Sequence, residues 1–186
     1  MRIAVFASGR GTNFENIITS AISGVEIVLL VTDKVCNALE IAKAHSIESR
    51  TFSLKAYRSK QEMEMAIESL LVEKEIDLIV LAGYMRLFSP YFVHRFPHRI
   101  INIHPSLLPL YKGKHAIEQA FNDGKKLYGV SVHYVNEGMD EGELIAQTKI
   151  EYDGDSIEKL EQLIHAAEYQ LYPQVIEQIC KQKEHL

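Results

Sequence analysis

Three side chains in the second half of the chain have types and spacing suited to acyl-group chemistry. Asn102 and His104 lie two residues apart at the end of an apolar run, just before Pro105. In an extended chain, residues two apart point to the same side. An amide donor then stands beside an imidazole. The amide suits a developing oxyanion, and the imidazole suits proton transfer near neutral pH. Asp140, in Met139-Asp140-Glu141-Gly142, falls in a loop between two strand-like runs. Taken alone it reads as a turn aspartate; brought close to His104 it would favour the imidazolium. His133 shares a strand face with Ser131 and reads as a structural histidine.

A second constellation stands near the start. Gly9-x-Gly11-Thr12-Asn13 separates the first apolar run from the first helical pattern. Glycines let a ligand approach the backbone, and a helix N-terminus offers free N–H groups to an anion. Phe14 occupies the third-glycine position of a dinucleotide fingerprint, and no Gly-Lys-Ser/Thr follows. A monophosphate therefore fits better than a dinucleotide or a nucleoside triphosphate. The plain alternative is an ordinary strand-to-helix turn. His94 and His98 are four apart without an acidic partner at ligand spacing, and no HExxH occurs, so no metal is expected. No Gly-x-Ser-x-Gly elbow is present, which disfavours a serine hydrolase.

These groups need a frame, and the periodicity supplies one. Arg2–Ala7, Glu26–Thr32, Thr51–Leu54 and Asp77–Ala82 read as strands. Helical patterns lie between them, with expected capping boxes at Thr12/Glu15 and Ser59/Glu62. Glu62, Glu64 and Glu68 read as a solvated helix face. Strands alternating with helices predict an α/β fold, with a mostly parallel sheet and helices on both faces. Further on, Arg99–Ile103, Gly129–Val135 and Leu144–Ile150 read as strands, and Ile117–Asn122 as a helix. A long helical pattern from Ser156 to Lys183 closes the chain, and Pro173 should kink or split it.

The chain has 186 residues, the size of one domain, so residues 1–186 are expected to form a single unit. Lys and Arg number 20 against 25 Asp and Glu, a net charge of −5, which argues against a broad nucleic-acid footprint. No apolar run approaches a membrane span or a signal-peptide core. Cys36 and Cys180 share no metal or CxxC spacing and read as reduced thiols of a cytoplasmic protein.

The run Asn102-Ile103-His104-Pro105-Ser106-Leu107-Leu108-Pro109 closely resembles the folate-dependent formyltransferases. Ser8-Gly9-x-Gly11-Thr12-Asn13, Leu81-Ala82-Gly83-Tyr84-Met85-Arg86, Ser131–Val135 with Asp140-x-Gly142, and Glu168–Pro173 extend the resemblance over residues 2–180. Their order resembles the branch that formylates phosphoribosylglycinamide (GAR) in purine biosynthesis. The resemblance implies a Rossmann-like formyltransferase fold. It implies that GAR's amine attacks the formyl carbon of 10-formyltetrahydrofolate directly, with no metal. Asn102, His104 and Asp140 would then be catalytic. Gly11, Thr12 and Asn13 would hold the substrate phosphate, and Glu168 the ribose. Lys60, Met85, Arg86, Leu87, Phe88, Asn102, Asn136, Met139 and Asp140 would contact the folate. Partners would be these small molecules, with no nucleic acid or membrane, acting on a monomer or homodimer.

Some residues depart from the family pattern. Lys60 stands where an Arg is frequent near the folate tail, and loses the bidentate fork. Lys112 and Lys114 make their loop more basic and would add to phosphate attraction; Glu143 replaces a common Pro. The alternatives are a formyltetrahydrofolate hydrolase, a related transferase with another acceptor amine, and a non-catalytic nucleotide- or folate-binding module. A tRNA-directed relative is expected to carry a further RNA-binding domain and a basic surface. The hydrolase is expected to carry a regulatory domain ahead of the formyl site. Neither is expected here.

Overall fold

A computed structural model of the chain describes residues 1–184; the last two residues of the expected 1–186 unit lie outside it. Seven strands form one sheet: β1 (Arg2–Ala7), β2 (Glu26–Thr32), β3 (Glu48–Thr51), β4 (Leu78–Leu81), β5 (Ile100–His104), β6 (Leu127–Tyr134) and β7 (Leu144–Glu151). Their order is β3-β2-β1-β4-β5-β6-β7. The first five run parallel to one another, and β6 and β7 join antiparallel. The fold is thus the expected mostly parallel α/β arrangement. Successive connections from β1 run first towards β2 and β3, then back across to β4. That reversal opens a crevice beyond the carboxyl ends of β1 and β4, where open α/β sheets take their ligands.

Among the described residues six helices cover the sheet: α1 (Thr12–Thr19), α2 (Ala38–Ala44), α3 (Lys60–Glu73), α4 (Pro90–Arg95), α5 (Ala116–Asn122) and α6 (Ile157–Glu184). Alternation along β1 sorts the core into two layers. Ile3, Val5 and Ala7 face Phe14, Ile17, Ala38, Ile117 and Ile164, from α1, α2, α5 and α6. Ala4 and Phe6 face Met63, Ile67, Leu71, Phe92 and Phe96, from the α3 and α4 side. Both faces of the central strands are buried, which explains their near-continuous apolar sequences.

The structure departs from expectation in several places. The third strand is Glu48–Thr51, upstream of the expected Thr51–Leu54, and Leu54–Ala56 form a single 3₁₀ turn. The Thr12/Glu15 capping box does not form: Gly11, in the left-handed region at φ 80°, is the N-cap, and Thr12 is already helical. Ser59 does cap α3, accepting from Glu62 N at 3.1 Å, while the Glu62 carboxylate takes the N–H of Arg58 rather than that of Ser59. Glu64 is fully buried and Glu68 binds Tyr91 and Arg95, so only Glu62 lies on a solvated face. Pro173 does not split α6, which runs unbroken through it. No helix among the described residues is long and apolar enough to cross a membrane.

Candidate active site

Strand pairing assembles the first cluster. Asn102 lies directly opposite His133 across the β5–β6 ladder, and His104 lies opposite Ser131. Asp140 comes from the loop after β6 and adopts φ 52°, a left-handed conformation that Asp tolerates better than most residues. Its Oδ2 accepts the Gly113 N–H at 2.8 Å and stands 3.5 Å from His104 Nδ1. Its Oδ1 stands 3.5 Å from His133 Nε2 and 3.4 Å from the Asn102 amide nitrogen. The expected trio of Asn102, His104 and Asp140 is therefore brought together. His133, read from sequence as a structural residue, belongs with it: its Nε2 is 3.3 Å from Asn102 Nδ2, and it is 2% exposed.

Burial is the largest influence on the Asp140 carboxyl and opposes its ionisation. Hydrogen bonding to the His133 ring and the Gly113 N–H, with charge on His104 and His133, outweighs burial and holds Asp140 below the ordinary carboxylate range. A carboxylate is thus fixed beside two imidazoles in a nearly dry place. His104 Nε2 lies 2.8 Å from the Tyr111 carbonyl, so both ring nitrogens face acceptors. A carbonyl oxygen can only accept, so Nε2 carries the proton of that bond, and Nδ1 faces the Asp140 carboxylate.

The loops around this cluster are pinned. Ser131, fully buried, donates to Ser106 O at 2.6 Å and accepts from Leu108 N and Gln147 Nε2. The segment after His104 is thereby tied to the sheet. On the loop that carries Asp140, Asn136 accepts from Gly138 N at 3.0 Å, closing a local turn. Glu137 pairs with His94, and Glu141 with Lys112. Met139 is half-exposed at the loop tip. Lys112 is thus engaged by a carboxylate, and Glu143 stands 3.8 Å from His98.

The second cluster lies at the end of β1. Gly11 enters α1 at φ 80°, where a Cβ would meet Ala38 and Ile41 of α2 at 2.9–3.0 Å. The first intrahelical bond runs from Glu15 N to Gly11 O, so the N–H groups of Thr12, Asn13 and Phe14 have no intrahelical acceptor. Asn13 donates to Glu168 at 3.2 Å, and its Oδ1 is buried without a partner among the described residues. Glu168, 5% exposed, also takes a 2.8 Å bond from His165 Nδ1. That bond raises the His165 pKa, against the opposing effect of burial. His165 was not foreseen, although its spacing of three from Glu168 on a helix places the two on one face.

Leu81 pairs with Phe6 on one side and with Asn102 on the other. Adjacent strands are ~4.8 Å apart, so the Asn102 row stands about 10 Å from β1. The gap between the clusters is bordered by the turn after β4. There Met85 and Leu87 are exposed, Phe88 stacks on Phe92, and Arg86 pairs with Asp33 at 2.9 Å. Lys60, at the start of α3, lies 3.7 Å from Glu64. Among the described residues no group of three or more His, Cys, Asp and Glu side chains is arranged to hold a metal.

With this geometry in hand, residues 1–176 match the model of the formyl transferase family. The chain belongs to that family. It is 46% identical over 183 residues to the phosphoribosylglycinamide formyltransferase of Bacillus subtilis, covering 96% of this chain and 94% of that one. The crystal structure of the enzyme of that name from Bacillus halodurans superposes with a TM-score of 0.93 at 44% identity, over 100% of this chain and 98% of the other. A human trifunctional purine biosynthetic protein matches 96% of this chain at 35% identity, over 18% of its own length. The chain is accordingly a formyl-transferring enzyme, and the expected fold and family both hold.

Proposed function

We infer that the enzyme transfers the formyl group of 10-formyltetrahydrofolate to the amine of GAR, giving formyl-GAR and tetrahydrofolate. The observation that carries this reading is the buried meeting of Asn102, His104 and Asp140 on a strand row about 10 Å from β1, the strand that leads into a free helix N-terminus. An aminated ribose phosphate spans that separation. Its phosphate would take the unpaired N–H groups at Thr12 and Asn13 beside Gly11, and its ribose hydroxyls the Glu168 carboxylate. Its amine would then reach the formyl carbon beside Asn102.

Attack by the neutral amine gives a tetrahedral intermediate bearing one oxyanion. Asn102 holds one amide N–H towards Asp140 and His133 and has a second for that oxygen. His104 receives the amine's proton and delivers one to the departing folate nitrogen, with Asp140 opposing the charge on the ring. The turn Met85–Phe88 would take the folate head through backbone groups. Asn136, Met139 and Asp140 would close over it, and Lys60 would meet its acidic tail. Each site lies within one chain, so the reading holds for a monomer or a homodimer. Free Cys36 and Cys180 accord with a cytoplasmic setting.

The test mixes enzyme and 10-formyltetrahydrofolate with and without GAR and follows the folate spectrum. Tetrahydrofolate release that requires GAR and yields formylated product is the expected result. Release without GAR, yielding formate, would make the enzyme a hydrolase. Binding without release under either condition would point to another acceptor amine.

A further inference from the structure

Glu64 is the one carboxylate of α3 that is wholly buried, and the chemistry above does not use it. Its Oε1 accepts the backbone N–H of Ser89 at 2.8 Å, and its Oε2 accepts the Ser89 hydroxyl. The Lys60 ammonium is 3.7 Å away and 43% exposed. Burying a carboxylate is costly, and here the cost is offset by those two bonds with the half-exposed Lys60 beside it. Helix α4 does not need them for a cap, because Ser89 itself accepts the Phe92 N–H.

What Glu64 fixes is the exit of a turn. The entry is held in the same way: Ser8, 2% exposed, accepts the Met85 N–H at 2.9 Å and donates its own N–H to Gly83 O. Midway, Asp33 holds Arg86, and Tyr84 and Phe88 stack beneath with ring centroids 5.5 Å apart. Residues 85–88 have no regular secondary structure of their own, yet three buried oxygen acceptors hold the segment: Ser8 takes the Met85 N–H at its entry, Asp33 the Arg86 side chain midway, and Glu64 the Ser89 N–H at its exit. Above this rigid base Met85 and Leu87 stand 69% and 59% exposed. A backbone fixed so firmly beneath exposed apolar side chains is preorganised for a ligand.

We propose that Glu64 is a positioning residue for the formyl donor: through Ser89 it sets the backbone of Met85–Phe88 that receives the flat heteroaromatic head of the cosubstrate. This rests on the folate reading above. Glu64 acts through Ser89, and Ser89→Ala, which leaves the Lys60–Glu64 pair in place, separates this route from one through Lys60. The ribose phosphate end of the site shares no contact with it.

Steady-state kinetics on folded Glu64→Ala, Glu64→Gln and Ser89→Ala, each with its melting temperature, test the assignment. Glu64→Ala should raise KM for 10-formyltetrahydrofolate by roughly tenfold. KM for GAR and kcat should stay within about twofold. Glu64→Gln should recover part of the loss, because its amide oxygen still accepts the Ser89 N–H. The double variant of Glu64→Ala and Ser89→Ala should be no worse than the worse single one. Unchanged KM for the donor, or a rise of both KM values with a fall of kcat in step with melting temperature, would overturn the proposal. Should Glu64→Ala not fold, Glu64→Gln and Ser89→Ala decide by the same criterion. A wild-type enzyme that consumes no 10-formyltetrahydrofolate refutes the folate reading itself, and this assignment with it.

Discussion

Replacing Asp140 by Asn removes one charge and almost no volume, so it isolates the electrostatic part of the mechanism. Asparagine keeps an oxygen for the Gly113 N–H, now 2.8 Å from Asp140, and the loop should stay in place. The carboxylate lies 3.5 Å from the His104 ring, with the two side chains 12% and 7% exposed. At an effective dielectric of ~20, a full charge pair at that distance is worth about 5 kcal/mol before the cost of partial desolvation. The amide dipole retains part of it. A net loss of about 3–4 kcal/mol in the step that charges the imidazole corresponds to roughly 10²–10³ in kcat. Single-turnover formylation of GAR at saturating donor reads this directly. On a His104→Ala background the same change should add little, because the two act as a unit. Turnover within about threefold of wild type, or equal losses on both backgrounds, would refute an ionised Asp140 working on His104.

Further expectations follow from the same geometry. Asn102→Ala should lower kcat by roughly 10²–10³, the usual effect of losing one oxyanion donor, with KM for GAR little changed. His133→Phe keeps a ring of similar size but releases the Asn102 amide, and should lower kcat about tenfold; combined with Asn102→Ala it should add nothing further. Gly11→Ala places a Cβ against Ala38 and Ile41 and forces a left-handed conformation. It should destabilise the fold by about 1–3 kcal/mol in denaturant titrations and weaken GAR binding. The His165 pKa is raised from its ordinary 6.5 by its bond to Glu168. The stability this bond adds is full below that value and lost as pH rises through the raised one. The melting-temperature gap between wild type and His165→Gln should therefore shrink from mildly acid to mildly alkaline pH; a constant gap would remove the ion pair from the account.

Sheet class and strand-helix alternation were legible because both are written in local periodicity. β1 and β4 are buried on two faces and read as unbroken apolar runs. The short pieces were less legible. Residues Glu48–Thr51 make a four-residue edge strand with a polar sequence, held by pairing to β2 rather than by burial, so no apolar signal marked them. Helix α4, six residues long, is announced only by Ser89-Pro90, a cap followed by proline at the first helical position. Pro173 illustrates the reverse case. A proline removes one backbone bond, but Tyr172, Val175 and Ile176 bury the same stretch of α6 against the sheet, and Tyr172 donates its hydroxyl to Leu81 O and Ile101 O. Tertiary packing there outweighs the local penalty.

The proposed catalytic trio was legible for a different reason: its residue types match a family motif, and two of its members stand two apart on one strand. Nothing local linked His133 or Glu64 to function, since each gains its role from a partner far along the chain. His133 faces Asn102 only because β6 returns antiparallel in a register that places residue 133 opposite residue 102. Shifting that register by one residue would turn His133 to the other face of the sheet and send Ser131 away from the loop after His104. The buried Ser131–Gln147–Leu108 bonds make such a slip costly, because each lost partner would leave a polar group unsatisfied in the interior. The polar knot beside the active site therefore specifies the strand register, and the register in turn completes the site.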